Sequence, residues 1–492
     1  DIGNIGCCTT TYVPYVPMCL QTLKLYKMYK LPIFNDAHIH IWKVGDLLTY
    51  MLDLRGVTSI AEMQAKLVDF AQNKPKKEWI LARGFNEALF ADGRMPDRHD
   101  IDKVISDRPV HIIRTCAHVV VLNTMAMQHI GIQRDTPVPV GGEIRKDSNG
   151  NPNGIITETA LGLAKLHLPP PSAAAYRQMI LAAQDAFLKV GIGAATDPAV
   201  HPELLEVYHI MAAAGELKVR INAIPIMVPD GATVALPLPK RFESPFLKVV
   251  AVKFFADGGL SGKTAAVRHG YKNTSEKGVM RLQPDFFKQI ALKAQNAGFQ
   301  IATHAIGDVT IEMVLNGYES IAKYNKTGIQ HRLEHVGLPD LSHLIRMREA
   351  GIHAVSQPVF LYELGRNYRR YLPDFYLENV FPYRSILDAG VNLAFSSDAP
   401  VIRDFSPLLG MQNAVQRIDN QGFTIGKYQR ITIVEALHAY TQGAALASQQ
   451  PINLKTDYVI LDKNPMDVAA SEIGKINVLE TWVNGKLQFK MI

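Results

Sequence analysis

Short apolar runs that end in a polar residue or a glycine alternate with amphipathic segments along most of the chain. The runs at 33–40, 191–196, 219–227, 248–256, 299–304, 329–335, 352–356 and 391–398 are rich in β-branched and aromatic residues and read as buried strands. Between the later ones, 173–190, 202–215, 284–297, 308–324, 341–350 and 377–389 place apolar residues at helical spacing. Gly191, Gly215, Gly298, Gly351 and Gly390 stand where these helices stop, the position a left-handed C-cap needs. Strands that are apolar on both faces and alternate with helices predict a parallel sheet. Eight of them predict an α/β fold of the (β/α)8 TIM-barrel type.

Two regions depart from the alternation. Residues 45–170, after the first strand, carry their own signals: a helix over 62–73, strands at 79–82 and 110–114, and a turn-rich stretch at 141–154. They read as an insertion in the barrel. The tail has alternating strands at 458–462 and 481–487 with an Asn484-Gly485 turn, a small β-sandwich-like element built from the chain termini. The division expected is 1–31 as an N-terminal segment of that element, 32–442 as barrel and 443–492 as its C-terminal strands. Residues 1–30 themselves fit neither a signal peptide nor a clear strand pattern.

One position interrupts the apolar pattern at a cost. Lys253 stands in the middle of Val249-Val-Ala-Val-Lys-Phe-Phe-Ala256. Desolvating an ammonium costs several kcal/mol, so a lysine there needs a partner or a change of charge. The other polar residues at strand ends are mostly His and Asp. His38 and His40 close the first strand with i, i+2 spacing, which puts both rings on one face. His304 ends the fifth strand, His335 the sixth and Asp398 the eighth. Taken singly, a strand-end histidine is more often a hydrogen-bonded core residue, and an aspartate before Ala-Pro is usually a turn residue. In a barrel all these ends meet on one face, where four histidines, an aspartate and a lysine have the make-up of a metal site.

The motifs around these residues resemble the amidohydrolase superfamily. Asp36-Ala-His-Ile-His40 is similar to its opening His-x-His motif. Val252-Lys-Phe-Phe-Ala-Asp-Gly258, Thr303-His-Ala-Ile-Gly-Asp308, His331-Arg-Leu-Glu-His335 and Ser396-Ser-Asp-Ala-Pro-Val401 resemble its family 3, the branch with YtcJ-like and N-substituted formamide deformylase proteins. Gly141-Gly-Glu-Ile, Gly150-Asn-Pro-Asn-Gly154, Glu435-Ala-Leu-His-Ala-Tyr-Thr441 and Asp457-Tyr-Val-Ile-Leu-Asp462 do so too. The resemblance runs from residue 32 to the C-terminus. It departs at the N-terminus, where the family usually has a longer sandwich-forming segment, and at Gln449–Thr456, where the usual Gly-rich lead-in is missing.

The resemblance implies a two-metal site, with zinc the ion expected for His and carboxylate donors. His38, His40 and Asp398 would hold the more buried ion, His304 and His335 the other. Lys253, N6-carboxylated, would bridge the two; an unmodified Lys253 beside a single ion is the alternative. The function implied is hydrolysis of a non-peptide C–N bond in a small molecule (amide, formamide or cyclic amide). A metal-activated hydroxide would attack, and Asp398 would act as general acid/base. His118, from the insertion, would reach the substrate carbonyl as a second catalytic residue, or serve as a structural histidine. Ester or lactone hydrolysis, decarboxylation, and a non-catalytic regulatory role on the same barrel are the alternatives.

Neighbouring residues read more plainly. Arg332 and Glu334 alternate with His331 and His335, so they are expected to face outward as an ion pair behind the barrel. Asp257 and Asp308 are expected as loop or N-cap residues. Gln357, Tyr362 and Arg403 fall on loops of the site face. The net charge of +6 is spread without a basic block, which disfavours nucleic acid and membrane partners. No apolar run approaches the roughly 18 residues of a spanning helix. Four cysteines without CxxC spacing point to a reducing, cytoplasmic setting. A homodimer is common among proteins of this resemblance.

Overall fold

The computed structural model describes residues 28–492 apart from 76–77, 116–118, 140–141, 159, 166, 169, 230–231, 233 and 327. The architecture is mixed α/β, and all eight expected strands are present: β1 (Phe34–Asp36), β2 (Ile192–Val200), β3 (Arg220–Pro225), β4 (Ala251–Phe255), β5 (Gln300–Ala305), β6 (Arg332–His335), β7 (His353–Ser356) and β8 (Leu393–Phe395). They fall into two sheets. β1, β2 and β3 pair in parallel in one, and β4 to β8 pair in parallel, in sequence order, in the other.

The expected strand 248–256 is divided at Val250. Leu247–Val249 pairs in parallel with β3, whereas Ala251–Phe255 pairs with β5. A parallel bridge between Ile226 and Lys253, with Met227 N donating to Lys253 O at 3.0 Å, joins the two sheets at this point. At the other edge, Ala37 N donates to Phe395 O at 3.2 Å and Asp398 N to His38 O at 2.7 Å. Helices pack outside these strands, as the βα alternation requires. All five glycines expected at helix ends have positive φ, from 64° to 83°.

The helix Ile41–Thr49 begins directly after His40 and lies against the helix Ala173–Lys189. Gly45 makes their close approach possible, since a Cβ there would stand 1.9 Å from Met179 O. Gly45→Ala is expected to cost about 1–3 kcal/mol through forced separation of the helices. A lowered melting temperature of the metal-free protein checks it, and an unchanged one refutes it.

Residues 52–158 hold a six-stranded sheet, more elaborate than the helix and two strands expected in the insertion. Its order is Leu52–Asp53, Ile80–Phe85, Val110–Arg114, Val119–Leu122, Pro152–Glu158 and Gly142–Lys146. It has buried clusters of its own, one around Met63, Ile80, Phe85 and Ile112, another around Val120, Leu122, Ile144 and Ile156. The terminal element is one antiparallel sheet among the described residues, in the order Tyr29–Pro32, Tyr458–Leu461, Val478–Val483 and Lys486–Lys490. Asn484 and Gly485 take φ of 53° and 73°, the left-handed pair a tight two-residue hairpin needs. A second sheet is not required to cover its apolar face. Val459, Leu461, Val478 and Val483 join the main core, and Thr481 Oγ1 donates to Leu188 O at 2.7 Å. No helix among the described residues is long and apolar enough to cross a membrane.

Candidate metal centre

The residues that follow β1 turn inward over the strand ends. Asp36, buried, fixes this turn by accepting from His38 N at 3.1 Å and from Ser397 N at 3.1 and 3.2 Å. The first strand is thereby clamped to the segment that carries Asp398. His40 N donates to Ala399 O at 2.9 Å, a second clamp between the same two segments.

His38, His335 and Asp398, all buried, each offer a ligand atom within 4.8 Å of the others. Asp398 Oδ1 lies 3.4 Å from His38 Nε2 and 3.3 Å from His40 Nε2. The His335 ring centre is 5.0 Å from that of His38 and 4.4 Å from that of His304. His304 Nε2 is turned to Gly258 O at 3.0 Å and lies 3.4 Å from Asp257 Oδ1. Lys253 is wholly buried, and its Nζ has no hydrogen-bond partner among the described residues; neither does Asp398 Oδ1. Five of the expected site residues therefore gather about Lys253 and Asp398. The sixth, His304, is joined to them through His335. The expected role of His118 lies outside the described residues.

Two backbone features aim these groups. His335 and Val336 have φ of 76° and 51°, and Asp398 has φ of 57°. Left-handed conformations at such residues are strained and gather at functional sites. At His335 the turn breaks the strand alternation, so Glu334 and His335, though adjacent, both reach His38.

Arg332 and Glu334 consequently do not face outward, and that expectation is corrected. The expected phase is reversed at His331 too, which faces the helix Pro284–Asn296 and meets Gln295 Oε1 at 2.9 Å. The alternation itself breaks only at His335. Arg332 and Glu334 form the expected ion pair, at 2.5 and 2.9 Å, but it is wholly buried. Glu334 Oε2 meets His38 Nδ1 at 2.5 Å.

Gln357 is also fully buried and serves His335. Its Oε1 accepts at 2.8 Å from Nδ1, and its Nε2 donates to Ser396 Oγ at 2.9 Å. Phe360 stacks on the same ring at 6.1 Å with an 11° tilt. Asp257 is a loop residue, as expected, and accepts from Ile306, Gly307 and Ala266 N. Asp308 is the first helical residue and not the cap; its carboxylate accepts from Arg268 N and from Tyr376 OH.

Burial, the largest influence, holds the imidazoles neutral. It lowers His40 to about 3, with Lys43 adding to the effect and Asp398 opposing it. Burial and then Lys253 lower His38; burial and then His304 hold His335 well below its ordinary value. Burial opposes the charge on Asp398, but His38, His40 and His335 overcome it and hold the carboxyl far down in its ionised form. Burial lowers Lys253 to about 8 against the pull of Glu334 and Asp398. Neutral imidazoles, an ionised carboxylate with an uncommitted oxygen and a buried amine of lowered basicity are the donor set a divalent cation takes. The residues present fit a metal ion.

Such donors at the carboxyl ends of parallel strands define a metal-dependent hydrolase. The sequence profile described as "Amidohydrolase family" matches residues 28–489. The chain belongs to the amidohydrolase family, whose members are hydrolases acting on carbon–nitrogen bonds. The putative amidohydrolase YtcJ of Bacillus subtilis (strain 168) is 29% identical over 484 residues, covering 93% of this chain and 88% of that protein. The N-substituted formamide deformylase of Arthrobacter pascens is 26% identical over 482 residues, covering 94% and 88%. The crystal structure of an uncharacterized metal-dependent hydrolase from Pyrococcus horikoshii OT3 matches with a TM-score of 0.74 at 26% identity, over 90% of this chain and 88% of that one.

Proposed function

We propose that this protein hydrolyses a non-peptide C–N bond of a small molecule (an amide, formamide or cyclic amide) at two divalent ions. The ions lie at the mouth of a closed eight-stranded barrel. The observation that carries the reading is the convergence of His38, His335 and Asp398 within 4.8 Å beside a wholly buried Lys253 whose Nζ has no hydrogen bond among the described residues. The link from Ile226 to Lys253 at one edge and from Ala37 to Phe395 at the other supports closure of the two sheets into one barrel.

In this reading His38, His40 and Asp398 hold one ion and His304 and His335 the other; zinc suits imidazole and carboxylate donors. Lys253 would bridge them as a carbamate. Its neutral amine adds to CO2, a C–N bond forms, and one proton leaves to solvent, which turns a costly buried cation into an anionic ligand. A lysine brought down to about 8 has the free amine this step needs near neutral pH. When bound, the ions supply Lewis acidity and make water acidic enough to react near neutral pH.

The chain does the rest. Asp398 takes the proton of the attacking water and passes it to the leaving nitrogen. Its oxygen that lacks a protein partner supports that role. His38 and His335 are each held by a partner on Nδ1, so each presents Nε2 to the centre. The burial of these groups excludes bulk water from the reacting atoms. The same proposal divides the chain into a barrel of 32–442, with its insertion, and a small β element from 1–31 and 443–492. It also takes the protein as a cytoplasmic homodimer without nucleic-acid or membrane partners.

A panel of N-alkyl formamides, N-acyl amines, cyclic amides and lactones, assayed on zinc-loaded protein, tests the reading. Turnover of a nitrogen compound above that of lactones is expected. Turnover of lactones alone would replace it with ester hydrolysis.

A further inference from the structure

We propose that Arg332 and Glu334 are positioning residues for the site, setting the tautomer of His38 and raising its affinity for a metal ion. The proposal rests on the reading of His38 as a ligand. Four buried groups make one chain of contacts. Arg332 donates to Glu334 through Nε at 2.5 Å and Nη2 at 2.9 Å, and Glu334 Oε2 meets His38 Nδ1 at 2.5 Å. His38 Nε2 then lies 3.4 Å from Asp398 Oδ1.

The chemistry of each group fixes its neighbour. Arg332 donates to both oxygens of Glu334, so the carboxylate acts as an acceptor, and Nδ1 of His38 must carry the hydrogen. The lone pair is left on Nε2, facing the centre. A carboxylate behind a ligating imidazole raises its basicity as a donor and fixes its ring.

Arg332 engages both oxygens of this carboxylate and is itself anchored. It donates to Ala37 O at 2.6 Å and to Ala447 O at 3.3 Å. The other buried imidazole is backed differently: His335 faces the neutral amide of Gln357. A buried ion pair is by itself weak evidence of stabilisation, because desolvation offsets the attraction. Its contact with a candidate ligand gives this one a function.

The experiment compares the parent with Glu334→Gln and Glu334→Ala. Zinc affinity is read by competition with a chromophoric chelator. In metal-free, 15N-histidine-labelled protein, NMR reads the tautomer of His38, its signals assigned by their loss in His38→Asn. The parent is expected to carry the hydrogen on Nδ1. Glu334→Ala is expected to mix the tautomers and weaken zinc by about 10–100-fold. Glu334→Gln, which still accepts but has no charge, should keep the tautomer and lose part of the affinity. Folded variants with the parent's tautomer and with zinc affinity within about twofold of it would overturn the proposal. If Glu334→Ala does not fold, an unchanged zinc affinity in Glu334→Gln overturns it alone. A parent that binds no zinc, with a tautomer that shifts in Glu334→Ala, would overturn the metal reading and keep the positioning role.

Discussion

Asp398→Asn is expected to lower kcat by about 10²–10⁴-fold on the best substrate of the panel, the range for loss of a positioned proton carrier. The amide keeps the size of the carboxylate and an oxygen for an ion, so the change removes mainly the ability to take a proton. The three buried histidines that depress this carboxyl keep it ionised, and so free of a proton, before the reaction. KM is expected to move little, since the interaction belongs to the transition state. Metal content, measured beside the kinetics, separates loss of the proton carrier from loss of the ion. A variant with full activity would remove Asp398 from the reaction.

Lys253→Ala is expected to lower bound metal from about two ions per chain to one or none, and to abolish turnover with it. In the parent, bicarbonate supplied with zinc should speed the recovery of activity from metal-free protein, because the amine must take up CO2 before it bridges. In the variant bicarbonate should do nothing. One ion in the parent, retained by the variant, would make the site mononuclear and give Lys253 another role. Lys253 is wholly buried, and its Nζ has no hydrogen bond among the described residues.

The features legible in the sequence are those set by local patterns. The eight strands, the helix-ending glycines and the Asn484-Gly485 turn follow from apolar periodicity and from the few residues that take positive φ freely. The convergence of His38, His335, Asp398 and Lys253 was legible because the first three stand where an apolar run stops and Lys253 interrupts one in its middle. The rest depends on conformations that no pattern announces. The division of one apolar run at Val250 assigns its halves to different sheets, yet both halves are equally hydrophobic. The left-handed His335 reverses the expected direction of Glu334 relative to the ligand. Gln357 was expected on a loop of the site face, and its full burial gives its side chain to His335. A carboxylate two residues from an arginine and next to a candidate ligand was the signal available for Glu334. Strict alternation hid it.

The contact between His38 and Glu334 also has a meaning for synthesis. The two residues are 296 positions apart in the sequence. A ribosome adding about 5–20 residues per second separates their emergence by roughly 15–60 s. Arg332 must then wait for Ala447, made later still, to complete its anchorage. During that interval His38 and His40 are exposed on a nascent chain with neither their carboxylate support nor Asp398. The pocket is a late product of translation, complete only after Asp398 and Ala447 have been made.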